Sequence, residues 1–307
     1  MVYLIIGGTG FIGCYVTRLL LSLGRRVVLY DLHPDEAALD DALGDQSPDN
    51  LAVLSGDVRE KAKIAALIKQ YGVSVIIHLA SLLTDASNED PPLAIEVNCL
   101  GTAQIFELAH RFGIRRIVWA SSIAVFGLPE RYGVDWIPND APHFPISFYG
   151  HCKSFNEGMA THYFNHCGVD SIGLRFTYVY GLGRVRGAGY AQELVENPLR
   201  GKPAHVSFGD DAVDWLYVED AARAIVLACD AEPTRTRVFT VGGEVKPICE
   251  VAEHLRQLIP SAAITLEPGA SGIAWRFDTS AAQRELGFVP EFTVERAIAD
   301  MKRRLFP

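Results

Sequence analysis

The chain has 307 residues, 49% of them apolar, enough to build a sizeable core in one large α/β domain or in a domain with an appended lobe. Its net charge of −9 disfavours nucleic acid and anionic membrane as partners, because both would meet net repulsion. No apolar run approaches the ~20 residues of a membrane span, and a first strand by residue three leaves no room for a signal peptide, so a cytoplasmic protein is expected.

The first strand runs into Gly7-Gly8-Thr9-Gly10-Phe11-Ile12-Gly13. In a strand–turn–helix unit, Gly7 permits the tight turn, Gly10 lets backbone amides approach a pyrophosphate, and Gly13 brings helix and strand close. The helix N-terminus then faces the phosphates. Phe11, Ile12, Val16, Leu19, Leu20 and Leu23 recur at helical spacing up to Gly24, and residues 27–30 read as the second strand. Asp31 ends it. A carboxylate there accepts hydrogen bonds from an adenosine ribose and repels a 2′-phosphate, so the expected dinucleotide is NAD rather than NADP.

Alternation continues with strands at 52–55, 75–79 and 116–120 and helices at about 59–71, 92–112 and 148–167. Asp57 is placed to cap the first of these helices, and Gly72 and Gly113 fall at expected C-caps. After a strand at 171–175, glycines and prolines from Gly181 to Pro203 punctuate a long stretch of the kind that carries function. A helix at 220–229, a strand at 237–241 and helices at 248–258 and 294–304 follow. The pattern predicts an α/β fold: a Rossmann-type, doubly wound parallel sheet with an interwoven smaller C-terminal substrate lobe. The expected division is a NAD-binding domain at 1–176 plus 214–241 and a substrate-binding lobe at 177–213 plus 242–307. The six cysteines, Cys14, Cys99, Cys152, Cys167, Cys229 and Cys249, include no Cys-x-x-Cys pair and no metal spacing, which suits free thiols in a reducing compartment.

Tyr149 and Lys153 stand four residues apart on a predicted helix, which places them on one face within about 6 Å. A cation about 4 Å from a phenol at an effective dielectric near 20 contributes roughly 4 kcal/mol, or about three pKa units. Such a phenol can take an alcohol proton while hydride leaves the same carbon for a nicotinamide.

With these residues in place, the sequence resembles the extended short-chain dehydrogenase/reductase family, also called the NAD-dependent epimerase/dehydratase family, over nearly its whole length. The resemblance lies in the glycine loop, Gly56-Asp57-Val58, His78-Leu79-Ala80-Ser81, Val97-Asn98-Cys99-Leu100-Gly101-Thr102, Ser121-Ser122-Ile123-Ala124-Val125-Phe126-Gly127 and Tyr149-x-x-x-Lys153. It continues in Leu174-Arg175-Phe176-Thr177-Tyr178-Val179-Tyr180-Gly181 and Arg284-Glu285-Leu286-Gly287-Phe288-x-Pro290. It implies that Ser122 hydrogen-bonds the substrate oxygen, that Tyr149 is the general acid/base, and that Lys153 holds the nicotinamide ribose. Phe11, Ile12, Asp31, Asp57, Val58, Leu79, Ala80, Ser81, Asn98 and Thr177 join Gly7, Gly10 and Gly13 as implied cofactor contacts. His78 is given no catalytic part. A homodimer through the helices at about 92–112 and 148–167 is also implied.

Departures from the family pattern bear on the substrate. Nucleotide-sugar members carry Arg-x-Phe-Asn where this chain has Arg175-Phe176-Thr177-Tyr178, and Arg-Asp-Phe where it has Val213-Asp214-Trp215. A second arginine near the C-terminus, before a Pro-Gly, is matched by the acidic neighbourhood of Leu266-Glu267-Pro268-Gly269. A diphosphate would lose charge-assisted bonds of ~1.5–3 kcal/mol each. Dehydratase members follow the active-site hydroxyl with Asp-Glu, where Ile123 and Ala124 stand here. The first expectation is therefore an NAD-dependent oxidoreductase acting on a secondary alcohol or ketone of a small hydroxy acid, sugar acid, polyol or amino acid. Tyr178, Arg184 and Arg186 are the candidate substrate contacts beside Ser122 and Tyr149. A UDP-sugar 4-epimerase with tightly held NAD is the alternative, and a non-catalytic NAD(H)-sensing protein the second.

Overall fold

A computed structural model describes residues 1–44, 49–184, 189–273 and 275–306. Its strands, in chain order, are β1 (Val2–Ile6), β2 (Arg26–Asp31), β3 (Leu51–Ser55), β4 (Val75–His78), β5 (Arg116–Ser122) and β6 (Ser171–Phe176). There follow β7 (Tyr178–Tyr180), β8 (Ala204–Val206), β9 (Ala212–Tyr217), β10 (Val238–Val241), β11 (Glu244–Pro247) and β12 (Ile264–Leu266). Seven of them form one sheet in the order β10-β6-β5-β4-β1-β2-β3, and every adjacent pair in it is parallel. A three-stranded sheet, β11-β9-β7, and a two-stranded sheet, β12-β8, stand apart from it.

Strand periodicity divides the apolar residues between two cores. Tyr3, Ile5, Val27, Leu29, Val75 and Ile77 point into one, shared with the helices Phe11–Ser22 and Val218–Asp230. Leu4, Ile6, Val28, Tyr30, Ile76 and Trp119 point into the other, shared with Lys61–Tyr71 and Thr102–Phe112. Burial on both faces explains why these strands read as unbroken apolar runs.

Three local differences from the sequence reading have physical causes. The helix expected from 59 begins at Lys61 and is not capped by Asp57. The Asp57 carboxylate instead accepts from the Arg59 amide at 2.9 Å and from the Arg59 guanidinium. The helix expected at 92–112 is broken into Pro91–Ala94, a π-helical stretch Ile95–Gly101, and Thr102–Phe112. There the Asn98 carbonyl accepts from Thr102 Oγ1 at 2.7 Å and from Asn156 Nδ2 at 2.9 Å, which compensates for the altered backbone ladder. Finally, β5 and β6 run two and one residues further than expected, pairing Ser121 with Arg175 and Ser122 with Phe176. Gly72 and Gly113 do end their helices in the left-handed region, at φ of 63° and 61°. No helix among the described residues is long and apolar enough to cross a membrane.

Candidate active site

The sheet order reverses between β1 and β4, and a crevice opens outside the carboxyl ends of strands at such a point. Gly7 makes the turn there. It has φ of +80°, and a Cβ on it would sit 2.6 Å from the Ala80 amide nitrogen, so no other residue fits without moving β4's exit. Gly10 is the N-cap of the following helix and no side chain caps it, leaving its first-turn amides available to an anion. Asp31 accepts from the Thr9 amide at 3.1 Å through Oδ2, so the residue at the end of β2 also braces the loop.

One cleft of about 1710 Å³ runs from this loop across the sheet. Its lining includes Gly7, Gly10, Phe11, Ile12, Gly13, Asp31, Asp57, Val58, Leu79, Ala80, Ser81, Ser122, Tyr149, Lys153, Thr177, Tyr178 and Arg184. Asn98 is not in that lining. It is 1% exposed, and its side chain is occupied in fastening the β4 exit: Oδ1 accepts from Ser81 Oγ at 3.0 Å and from the Leu82 amide at 2.8 Å, and Nδ2 donates to the Leu82 carbonyl. Arg186 lies outside the described residues. Residues that the sequence reading did not single out also line the cleft, among them Leu83, Leu128, Ile146, Ile273 and Trp275. Their loops carry no periodic signal, although a lone tryptophan in a Gly/Ser-rich stretch was visible.

Tyr149 and Lys153 sit on the helix Phe148–Cys167, whose N-cap Ser147 accepts from the Gly150 amide at 3.1 Å. Gly150 lets this helix approach the 3-10 turn Ile123–Val125, because a Cβ there would stand 2.1 Å from the Ala124 carbonyl oxygen. That close approach brings Tyr149 to the end of β5, where the Ser122 hydroxyl acts on its phenol. Lys153 Nζ donates to the Ala120 carbonyl at 2.7 Å and lies 5.3 Å from the Tyr149 ring centroid.

The electrostatics differ from the sequence expectation of a phenol made acidic by its lysine. Burial pushes Tyr149 up to about 12, opposed by the Ser122 hydroxyl and by the Arg184 guanidinium. Burial likewise pushes Lys153 down to about 8. The ammonium is aimed at a carbonyl rather than at the phenolic oxygen, and both groups are desolvated, so burial wins. His78 is held near 3, by burial first and then by Lys153. It is neutral, with Nε2 against Thr102 Oγ1 at 3.0 Å, and offers no base to the cleft.

The depressed Lys153 value carries a stability consequence. In a group whose folded pKa falls from 10.5 to about 8, the stabilising contribution is complete above pH 10.5 and is lost as pH falls through 8. Lys153→Met removes a buried charge costing ~3 kcal/mol and forfeits a bond worth ~1 kcal/mol. The variant is expected to be about 1–2 kcal/mol more stable than the parent at pH 7, with the advantage gone at pH 10.5. Urea midpoints at the two pH values measure it, and a less stable variant at pH 7 would contradict the assignment.

Behind the site lies an ion pair that the sequence reading passed over. Glu157, one turn beyond Lys153, accepts from Ser121 Oγ at 2.6 Å and from Arg175 Nε and Nη2 at 2.8 and 2.5 Å. His143 Nε2 stands 3.2 Å from Oε2, the oxygen that also accepts from Arg175 Nη2. Burial alone would raise this carboxyl, but Arg175, His143 and Ser121 hold it at about 2. The pair ties the helix Phe148–Cys167 to β5 and β6 next to Ser122. On the far wall, Thr177 Oγ1 donates to Asp214 Oδ1 at 3.1 Å, and burial raises Asp214 to about 6. Arg184 packs its guanidinium 4.4 Å from the Tyr178 ring centroid and donates to the Val179 carbonyl.

The family model described as "NAD dependent epimerase/dehydratase family" matches residues 3–242. A UDP-glucuronate 4-epimerase of Thermodesulfobacterium geofontis is 26% identical across 96% of this chain and 93% of its own length. Among solved structures, a GalE-like L-threonine dehydrogenase from Cupriavidus necator, in its holo form, superposes with a TM-score of 0.88 at 24% identity, covering 99% of this chain and 100% of that one. A UDP-glucose 4-epimerase from Thermotoga maritima with UDP-glucose gives 0.85 at 22% identity, covering 99% and 98%. The glycine turn at the switch point and the match over most of the chain agree: this protein belongs to the NAD-dependent epimerase/dehydratase family and is an enzyme that uses NAD.

Proposed function

We propose that the enzyme is a dehydrogenase that interconverts a secondary alcohol and its ketone on a small, non-nucleotide substrate. The observation that carries this reading is that Ser122, Tyr149 and Lys153 line the same cleft as the dinucleotide turn. The turn at Gly7, the amides after Gly10 and the Asp31 carboxylate suit the cofactor's pyrophosphate and ribose, with Asp57 and Val58 at the adenine end and Leu79, Ala80, Ser81 and Thr177 along its path. When bound, oxidised NAD supplies the hydride acceptor and a positively charged ring. Ser122 donates to the substrate oxygen and fixes it beside the phenol. Tyr149, as phenolate, takes the hydroxyl proton as the C–H bond breaks, and gives it back in the reverse direction. Lys153 keeps a positive charge under the phenol and is free to turn from Ala120 to ribose hydroxyls.

Arg184 suits a carboxylate on the substrate, and the asparagine missing at Tyr178 with the arginines missing at Val213 and near Glu267 disfavour a diphosphate. In this reading residues 177–213 plus 242–307 supply the substrate lobe. The enzyme works in a reducing cytoplasm, in keeping with its six free thiols. It dimerises through the helical faces that expose Ile95, Leu100, Phe155 and Phe164, a state that sedimentation at micromolar concentration tests. The assay for the chemistry is absorbance at the NADH band with hydroxy acids, amino acids, polyols and UDP-sugars. Stoichiometric NADH with a small alcohol is the expected result. Interconversion of a UDP-sugar without net NADH would make the protein an epimerase instead.

A further inference from the structure

The mouth of the cleft is lined by hydrocarbon. Leu83, Leu128, Ile146 and Ile273 are 37%, 42%, 67% and 42% exposed, yet all four line the cleft, as does the half-buried Trp275. They come from four separate segments that the fold draws together. Leu83 precedes the short helix Thr84–Glu89, which is tied to the start of the catalytic helix by the Phe148 amide donating to Asn88 Oδ1 at 3.2 Å. Ile146 stands on that same junction, three residues before Tyr149. Leu128 follows the turn after Ser122, and its Cδ2 reaches within 4.0 Å of where a Cβ on Gly272 would stand, so it meets the loop that carries Ile273. Trp275 closes the inner side, edge-on to Tyr178 at 6.2 Å and 78°.

From these facts we infer that the substrate carries an apolar group several carbons long beside its carbinol carbon, and that this group is seated among Leu83, Leu128, Ile146, Ile273 and Trp275. The inference rests on the dehydrogenase reading for its choice of reacting centre. Among the described residues of these four segments, Asp85 is the one charged side chain that lines the cleft, with Thr84 and Ser147 as its hydroxyls, so a diphosphate at the mouth would meet no cation and a sugar would leave most of its polar groups without partners. Concave apolar surface next to a few convergent polar groups is what an amphipathic small molecule occupies. Clustered exposed hydrocarbon of this kind marks a binding surface. The alternative is that the rim residues close on one another over any substrate, with no contact to a substrate chain.

Calorimetric titration of the protein, saturated with NADH, against straight-chain methyl ketones from butanone to nonan-2-one separates the two. Kd is expected to fall about fourfold for each methylene, the equivalent of ~0.8 kcal/mol, until the chain outgrows the rim. Ile146→Asn and Leu128→Asn should cut that increment to twofold or less, and Ile146→Leu should restore it, which also controls for folding. A Kd independent of chain length overturns the inference. NADH oxidation by the same ketones reads the underlying chemistry separately. Turnover with a flat series keeps the dehydrogenase and removes the apolar seat, whereas a steep binding series without turnover keeps the seat and removes the dehydrogenase.

Discussion

Tyr149→Phe is expected to lower kcat for alcohol oxidation by about 10²–10⁴-fold, the range that a positioned proton acceptor supplies, while NAD still binds. The substitution deletes one oxygen. The ring remains in its buried position, 9% exposed, the close approach of Gly150 to the Ala124 carbonyl is untouched, and Lys153 keeps its bond to Ala120. Only the proton acceptor is lost. Steady-state rates at saturating NAD, together with NADH binding by fluorescence, decide the matter. A kcat within tenfold of the parent would mean that another group takes the proton.

Arg175→Ala is expected to cost about 3–5 kcal/mol of stability, because it strands the Glu157 carboxylate in the interior. The carboxylate is 5% and the guanidinium 5% exposed, so water cannot replace what is removed. The parent shows the same energy in its acid limb. A carboxyl lowered from 4.5 to about 2 contributes stability that is complete above pH 4.5 and is lost as pH falls through 2, an amount of ~3 kcal/mol. The variant should therefore lose less between pH 4.5 and 2 than the parent does. Denaturant midpoints across that range check both statements. By contrast, the exposed pair of Arg59 and Glu96, at 2.6 Å, is of the kind worth less than ~1 kcal/mol, and equal effects from the two pairs would contradict the distinction.

The parts of this protein that sequence exposes best are those where one residue type is sterically required or where periodicity is unbroken. Gly7 had to be glycine at positive φ, and Tyr149 and Lys153 had to share a helix face. The helix Phe148–Cys167 begins and ends where its spacing indicates. The short strands β7, β8, β11 and β12 and the helices Glu36–Leu43 and Thr84–Glu89 escaped, since three to eight residues of mixed polarity carry too little period to detect. The π-helical stretch Ile95–Gly101 was hidden for another reason: it depends on bonds from Thr102 and Asn156 that only the tertiary structure supplies. Asn98, expected as a cofactor contact, has its side chain on the Ser81 hydroxyl and the Leu82 backbone. The phenol was expected to be acidified by a nearby cation, because spacing along a helix reports proximity but neither desolvation nor where an ammonium points. Glu157 was the missed residue with an available clue, lying one turn past Lys153 on the same face.

The central physical claim is that Tyr149, pushed up to about 12 by burial, becomes a usable proton acceptor once NAD is bound. Ultraviolet difference titration of the parent against Tyr149→Phe, reading phenolate absorbance with and without saturating NAD, measures it directly. The expected result is a single phenolate signal that titrates near 12 without NAD and below about 10 with it. A signal that stays near 12 in the NAD complex would contradict the account.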